Sequence, residues 1–275
     1  MLIERILRQA LEEDICRGDI TSKAITPLPV LATADFVSKS PGILVGVEIA
    51  QRVFHLLDPA IKFQPLLHDG KRVEKGDIIA SITGDARSIL SGERVALNFM
   101  QRLSGIATAT YIAVEAATPF GAMITDTRKT TPGLRILEKY AVRMGGGKNH
   151  RFGLDDAVLI KDNHIQIAGS VTKAIQLVRA EIGHMVKVEV EVETLDEVKE
   201  ALAAGADVIM LDNMEPAGMK EAVALVAGKA MVEASGGITP TQVATVAATG
   251  VDVISLGWIT HSAPPLDISL DIRVD

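Results

Sequence analysis

An incomplete (β/α) barrel, preceded by a smaller domain with an antiparallel sheet, is the architecture predicted by the hydrophobic pattern of this 275-residue chain. Three observations carry it. After about Thr118, short apolar runs alternate with amphipathic segments. The last four runs begin at residues 186, 208, 231 and 253, a near-constant spacing suited to repeated strand–helix units. Between about Ala32 and Asp85 the apolar runs are broken instead by "SPG", "HDG", "EKGD" and "TGD", as in a small sheet with tight turns. Finally, a composition that is 48% hydrophobic supplies one large core or two unequal ones.

The first element is a helix, because Ile3, Ile6, Leu7, Ala10 and Leu11 share one helical face. The antiparallel strands follow. The stretch "GERVALNFMQRLSGIATATYIAVEAA" then reads as a long helix joining the two parts, so residues 1–117 form the first domain and 118–275 the second. Six strands are expected in the second: "AMITDT", "AVLIKDN", "VKVEVEV", "VIMLDN", "MVEASG" and "VISLGW". Val171, Ala174, Ile175, Val178 and Ile182 mark one intervening helix, and Leu195, Val198 and Leu202 another. Six strands fall short of the eight of a full barrel.

The chain carries a formal net charge of −7, with aromatics at 3%, which argues against general nucleic-acid binding. It has no apolar run of membrane-spanning length, and its opening segment is charged at helical spacing rather than arranged as a leader. The single Cys16 excludes an internal disulfide and a cysteine-cluster metal site. A cytoplasmic protein is expected.

Against that acidic balance, Asp126–Arg151 ("DTRKTTPGLRILEKYAVRMGGGKNHR") concentrates positive charge. Arg135, Lys139 and Arg143 recur every fourth residue and are expected on the wet face of a helix that buries Leu134, Leu137, Ala141 and Met144. Arg128 and Lys129 end a strand, whereas His150 and Arg151 follow a glycine-rich loop; both pairs suit a ligand anion. The apolar runs terminate in turn at Asp126 with Arg128 and Lys129, at Lys161, Glu191, Asp212, Ser235–Gly237 and Gly257. Barrel enzymes build their sites from such C-terminal strand ends. Alternation in "KVEVEVE" puts Glu189, Glu191 and Glu193 on the barrel-facing side of one strand, with Lys161 as their expected partner. Glu191 and Asp212, two rim carboxylates, suit Mg²⁺ shared with a phosphorylated ligand. Gly236 and Gly237, before a helix expected near Pro240, suit a phosphate, as does Gly257; His261 either touches phosphate or is structural.

These residues, with the further segments "ALEEDICRGDIT", "LNFMQRLSGIAT", "LIKDNHI", "EVEVET", "IMLDNM", "EASGGI" and "VDVISLGWITHS", resemble the quinolinate phosphoribosyltransferase family over nearly the whole chain. The resemblance implies an N-terminal α/β sandwich followed by an incomplete α/β barrel, the type II phosphoribosyltransferase fold, with the last residues packing back on the first domain. It implies that quinolinate and phosphoribosyl pyrophosphate become nicotinate mononucleotide, pyrophosphate and CO₂ in de novo NAD biosynthesis, with Mg²⁺. Thr127, Arg128, Lys129, His150, Arg151 and Lys161 would bind quinolinate, with Arg102 entering from a neighbouring subunit. Glu191 and Asp212 would serve ribose and Mg²⁺. Ser235, Gly236, Gly237, Leu256, Gly257 and His261 would line the phosphoribosyl side. Lys161, Glu191 and Asp212 would be the catalytic set in a homodimer, or larger homo-oligomer, with shared sites. A related molybdenum-transport-associated group, a quinolinate-binding protein without turnover, and a lyase using Lys161 as Schiff base are the alternatives.

Overall fold

The computed structural model describes residues 2–273. In chain order the first elements are α1 (Leu2–Ile15), α2 (Ile20–Ile25), β1 (Leu31–Ser38), β2 (Gly42–Ile43), α3 (Val47–Leu57), β3 (Lys62–Pro65), β4 (Arg72–Val73), β5 (Ile78–Asp85) and α4 (Ala86–Ala117). Next come β6 (Met123–Thr125), α5 (Arg135–Met144), β7 (Val158–Ile160), α6 (Asp162–Ala168), α7 (Val171–Glu181), β8 (Val188–Val192), α8 (Leu195–Ala203) and β9 (Val208–Asp212). The chain ends with α9 (Pro216–Val226), β10 (Met231–Ser235), α10 (Val243–Ala247), β11 (Val253–Ser255), α11 (Trp258–His261) and β12 (Ile268–Arg273).

Two units emerge. The first comprises residues up to Tyr111, Thr131–Gly146 and those from His261 on; the second comprises Ile112–Thr130 and Gly147–Thr260. The expected single boundary at 117/118 therefore does not describe the division, because α5 belongs with the first unit. Leu137, Ala141 and Val142 of α5 are buried, and Gly145 just beyond it lies so close to α4 that a Cβ there would stand 2.3 Å from the Ala107 carbonyl oxygen. Lys139 corrects another expectation: it is buried rather than on a wet face, because α5 is covered on more than the one side its apolar residues define.

In the first unit an antiparallel sheet runs β12-β1-β5-β3. Strand β12 pairs with β1 from Thr33↔Arg273 to Ser38↔Ile268. Alternation along β1 turns Ala32, Ala34 and Phe36 inward, where Phe36 meets Phe54 of α3 and Phe63 of β3 at centroid distances of 6.1 and 5.9 Å. Helix α1 buries Leu7 and Leu11, on the face expected from its periodicity.

In the second unit six parallel strands run β6-β11-β10-β9-β8-β7. Strands β6 and β7 are the ends of this order, so the barrel is open; Lys148 adds a single parallel bridge to Thr125. Val188, Val190 and Val192 of β8 are all buried, which leaves the glutamates between them to the opposite face. Register places Asp212 beside Ser235 and Thr125 beside Ser255, so the C-terminal strand ends share one level.

Candidate active site

At that level lies a cavity of about 340 Å³ lined by Thr127, Arg128, Lys129, His150, Arg151, Lys161, Glu191, Asp212, Ser235, Gly236 and Gly237, all expected from the sequence. Leu159, Met210, Asn213 and Ser255 complete the lining.

The loop after β6 is set by Asp126, which is fully buried. Its carboxylate accepts the His150 backbone N–H at 2.9 Å and the Asn149 side-chain amide at 2.6 Å, fixing the segment that carries His150 and Arg151. Thr127 Oγ1 accepts the Lys129 N–H at 2.9 Å, and the Lys129 carbonyl accepts the Thr260 hydroxyl at 2.8 Å, so the cationic turn is bonded on both sides. Arg151 donates to the Ala157 carbonyl at 2.9 Å. Burial, then the neighbouring Arg128 guanidinium, lower the Arg151 pKa, while the Glu189 charge opposes them. Two cations held this close are poised for an anion that relieves their repulsion.

Lys161 donates to Glu191 at 2.6 Å across β7 and β8. That part of the expected pairing holds. Glu189 instead faces His150, 3.1 Å from its Nε2, and Glu193 lies beyond β8, where its backbone N–H donates to the Glu197 carboxylate that caps α8. Asp212 accepts the Asn213 side-chain amide at 2.6 Å. Asn213 has a positive φ of 53° and donates its backbone N–H to Ser235, tying the ends of β9 and β10. Gly236 (φ 88°) and Gly237 (φ 59°) turn the chain out of β10. The helix expected near Pro240 is a 3₁₀ turn, Pro240–Gln242, followed by the five-residue α10. What the loop offers a phosphate is therefore its glycine backbone rather than a long helix dipole.

Three residues expected at the cavity from this chain do not line it. Leu256 is buried, with its N–H bonded to the Thr125 carbonyl, and Gly257 leads into the four-residue α11. His261 belongs to the first unit and bonds Ser262 at 2.6 Å. Arg102, expected to serve a neighbouring subunit, belongs to the first unit and is bonded there to Glu138 and Thr131. Sequence reasoning missed Asn213, Asp126 as the loop's anchor, and Glu233, which lies 3.5 Å from His150 Nε2. For Glu233 a signal existed: it is the one acid inside the apolar run "MVEAS", two residues before the rim at Ser235.

The family profile of the quinolinate phosphoribosyl transferase N-terminal domain matches residues 19–104, and that of the C-terminal domain matches residues 106–271. The chain belongs to the quinolinate phosphoribosyltransferase family. Within it, the chain is 49% identical over 274 residues to a "Probable nicotinate-nucleotide pyrophosphorylase [carboxylating]" of Bacillus subtilis (strain 168), covering 99% of this chain and 94% of that protein. It is 44% identical to "Quinolinate phosphoribosyltransferase [decarboxylating] 2b, mitochondrial" of Nicotiana tabacum, covering 99% and 83%. Among solved structures, NadC from Streptococcus pyogenes superposes with a TM-score of 0.95 at 45% identity, covering 99% of this chain and 97% of that one. This family membership gives the fold its name, the type II phosphoribosyltransferase fold.

Proposed function

We propose that this protein converts quinolinate and phosphoribosyl pyrophosphate to nicotinate mononucleotide, pyrophosphate and CO₂, a step of de novo NAD biosynthesis. The observation that carries it is one cavity joining four cations, Arg128, Lys129, Arg151 and Lys161, to two rim carboxylates and a Gly236–Gly237 turn. The cations suit a dicarboxylate; the acids and glycines suit a sugar phosphate.

The ring nitrogen of quinolinate is itself the nucleophile, attacking C1 of the ribose as pyrophosphate leaves. The chain need only align the reactants and stabilise charge. A carboxylate of the ligand draws Lys161 from Glu191, freeing Glu191 for ribose hydroxyls. Alkylation makes the ring a pyridinium, whose positive nitrogen stabilises the electron pair left on the adjacent carbon as CO₂ departs; that carbon then takes a proton from water to give nicotinate mononucleotide. Glu191 and Asp212 are two carboxylates at the rim, whereas among the described residues the cluster of three metal-type donors lies elsewhere, at His150, Glu189 and Glu233. Two carboxylates fit Mg²⁺, which takes its remaining oxygens from water and phosphates. When bound, Mg²⁺ neutralises charge on the departing pyrophosphate.

The working assembly in this reading is a homodimer with shared sites, alone or as part of a larger oligomer. Its support is the apolar surface that each unit leaves exposed, with Ile20, Ile25 and Leu28 in the first and Leu154, Ile167 and Met185 in the second. Arg102 would complete a neighbour's pocket only by sharing or releasing Glu138. A cytoplasmic location accords with a single, exposed Cys16; no helix among the described residues is long and apolar enough to cross a membrane. The Schiff-base alternative is disfavoured because the Lys161 Nζ is engaged by Glu191 at 2.6 Å, and that reading gives Asp212 and the Gly236–Gly237 turn no role.

The test is incubation with quinolinate, phosphoribosyl pyrophosphate and Mg²⁺. Nicotinate mononucleotide and CO₂ should appear in equal amounts. Binding of quinolinate with no product under any condition would instead favour the non-catalytic reading.

A further inference from the structure

Beneath the cations the barrel holds a second, buried group of titratable side chains. Glu189 and Glu233 each lie two residues before a rim position, Glu191 on β8 and Ser235 on β10, and thus one inward-facing layer deeper. Both are more than nine-tenths buried. They line a cavity of about 360 Å³ at the N-terminal ends of the strands, and His150 stands between that cavity and the ligand pocket, lining both.

The hydrogen bonds fix the proton on His150. Its Nδ1 accepts the backbone N–H of Arg151 at 2.8 Å, so the ring carries its hydrogen on Nε2. That single N–H faces two carboxylates, Glu189 at 3.1 Å and Glu233 at 3.5 Å. Glu189 Oε1 and Glu233 Oε1 are buried without a donor. Two ionised carboxylates this close in a buried site repel one another, and an oxygen of each lacks a donor; a proton on Glu233 relieves the repulsion and supplies a donor. The three side chains have the spacing of a cation site, but a protonated Nε2 is no metal ligand.

We propose that Glu233 is a positioning residue whose carboxyl carries a proton, so that Glu233 and Glu189 hold His150 and Arg151 in place beneath the cation cluster with one negative charge rather than two. The inference rests on the quinolinate reading above. Opposite Glu233 in the sheet stand Met210 of β9 and Val253 of β11, neither titratable. The charged groups facing its cavity are Glu189 from β8, Arg151, Lys148 and Asp156 from the segment between α5 and β7, and Lys187 before β8. Burial, then the charge of Glu189, push the Glu233 carboxyl up to about 7, while His150 and the Ser255 hydroxyl of β11, partners of the ionised form, oppose the rise. A second negative charge, acquired above that pH, would offset part of the attraction that Arg128 and Arg151 exert on a dianion.

The test compares the full-length parent with Glu233→Gln and Glu233→Leu. Glu233→Leu should raise KM for quinolinate about tenfold, with kcat and KM for phosphoribosyl pyrophosphate within about threefold. Glu233→Gln, which mimics the protonated acid, should restore KM for quinolinate to within about threefold at pH near 6 and abolish the rise the parent shows above about pH 7. Equal losses for both substrates, a Gln variant as damaged as Leu, a parent-like pH profile in Glu233→Gln, or stoichiometric metal lost with the Glu233 carboxylate would overturn the proposal.

Stability decides the proton assignment without substrate. A carboxyl raised on folding binds its proton more tightly in the native state, so its favourable contribution is complete below the unfolded value of 4.5 and lost as pH rises through about 7. The Tm of the parent should therefore fall relative to Glu233→Gln across that window; a constant difference would refute the proton on Glu233, even if the parent turned over no quinolinate. Turnover by the parent with variants indistinguishable from it would refute the inference and leave the function standing.

Discussion

Arg102 donates from Nε to Glu138 at 2.8 Å and from a terminal nitrogen to the same oxygen, while the other Glu138 oxygen accepts the Thr131 backbone N–H at 3.0 Å. The Glu138 side chain is fully buried and that of Arg102 is 33% exposed. Removing a cation from a buried carboxylate exposes the desolvation that the pair had offset. Arg102→Ala should destabilise the first unit by about 2–4 kcal/mol, and Arg102→Met combined with Glu138→Leu by less than Arg102→Ala alone, as read from urea midpoints. An unchanged midpoint for Arg102→Ala would show that Glu138 finds its counter-charge elsewhere. None of this was legible in the sequence. Nothing in a one-dimensional pattern joins positions 36 residues apart. The same blindness put Lys139 on a wet face and gave Glu189 the wrong partner, because period and spacing say which way a side chain points but not what meets it there.

At the scale of elements the pattern said more. Period two in β8 separated buried valines from barrel-facing acids, and strand termini gathered the site, because both follow from backbone geometry alone. The turn after β10 was legible as glycine but not as mechanism. At Gly236, φ is 88°, and a Cβ there would stand 2.4 Å from Asn213 Oδ1 and 2.6 Å from the Asn213 backbone nitrogen. The glycine therefore permits the close approach of β9 and β10 that lets Asn213 hold Asp212. Gly236→Ala adds left-handed strain of about 1 kcal/mol and drives the 212–213 segment away. We expect KM for phosphoribosyl pyrophosphate to rise by about tenfold or more, with quinolinate affinity within about threefold of the parent by calorimetry. Loss of quinolinate affinity in parallel would mean that this turn supports the whole cavity rather than its sugar-phosphate side.

For the whole molecule, the sequence foresaw two parts and an incomplete barrel but drew one boundary where the chain crosses more than once, since a helix's owner is decided by its packing and not by its place in order. The barrel's open edge has a consequence for assembly. Beside β7 a cavity of about 460 Å³ is lined mostly by apolar side chains, among them Leu154, Ile160, Ile167, Leu177 and Val178. Leu154, Ile167 and Leu177 are exposed, Ile167 at 87%. Apolar surface of this kind is normally covered by a partner, and a second copy of the chain is the partner the dimer reading requires. Ile167→Glu with Leu177→Glu places two charges where a dimer would have to desolvate them, at a cost of several kcal/mol. Sedimentation equilibrium at micromolar concentration should find the parent dimeric or larger and the double variant monomeric. Because shared sites need two chains, specific activity of the variant should fall with its dissociation and recover as concentration is raised, while the circular dichroism of the monomer stays that of the parent. A parent that sediments as a monomer with full activity, or a dissociated variant as active as the parent, would confine the site to a single chain.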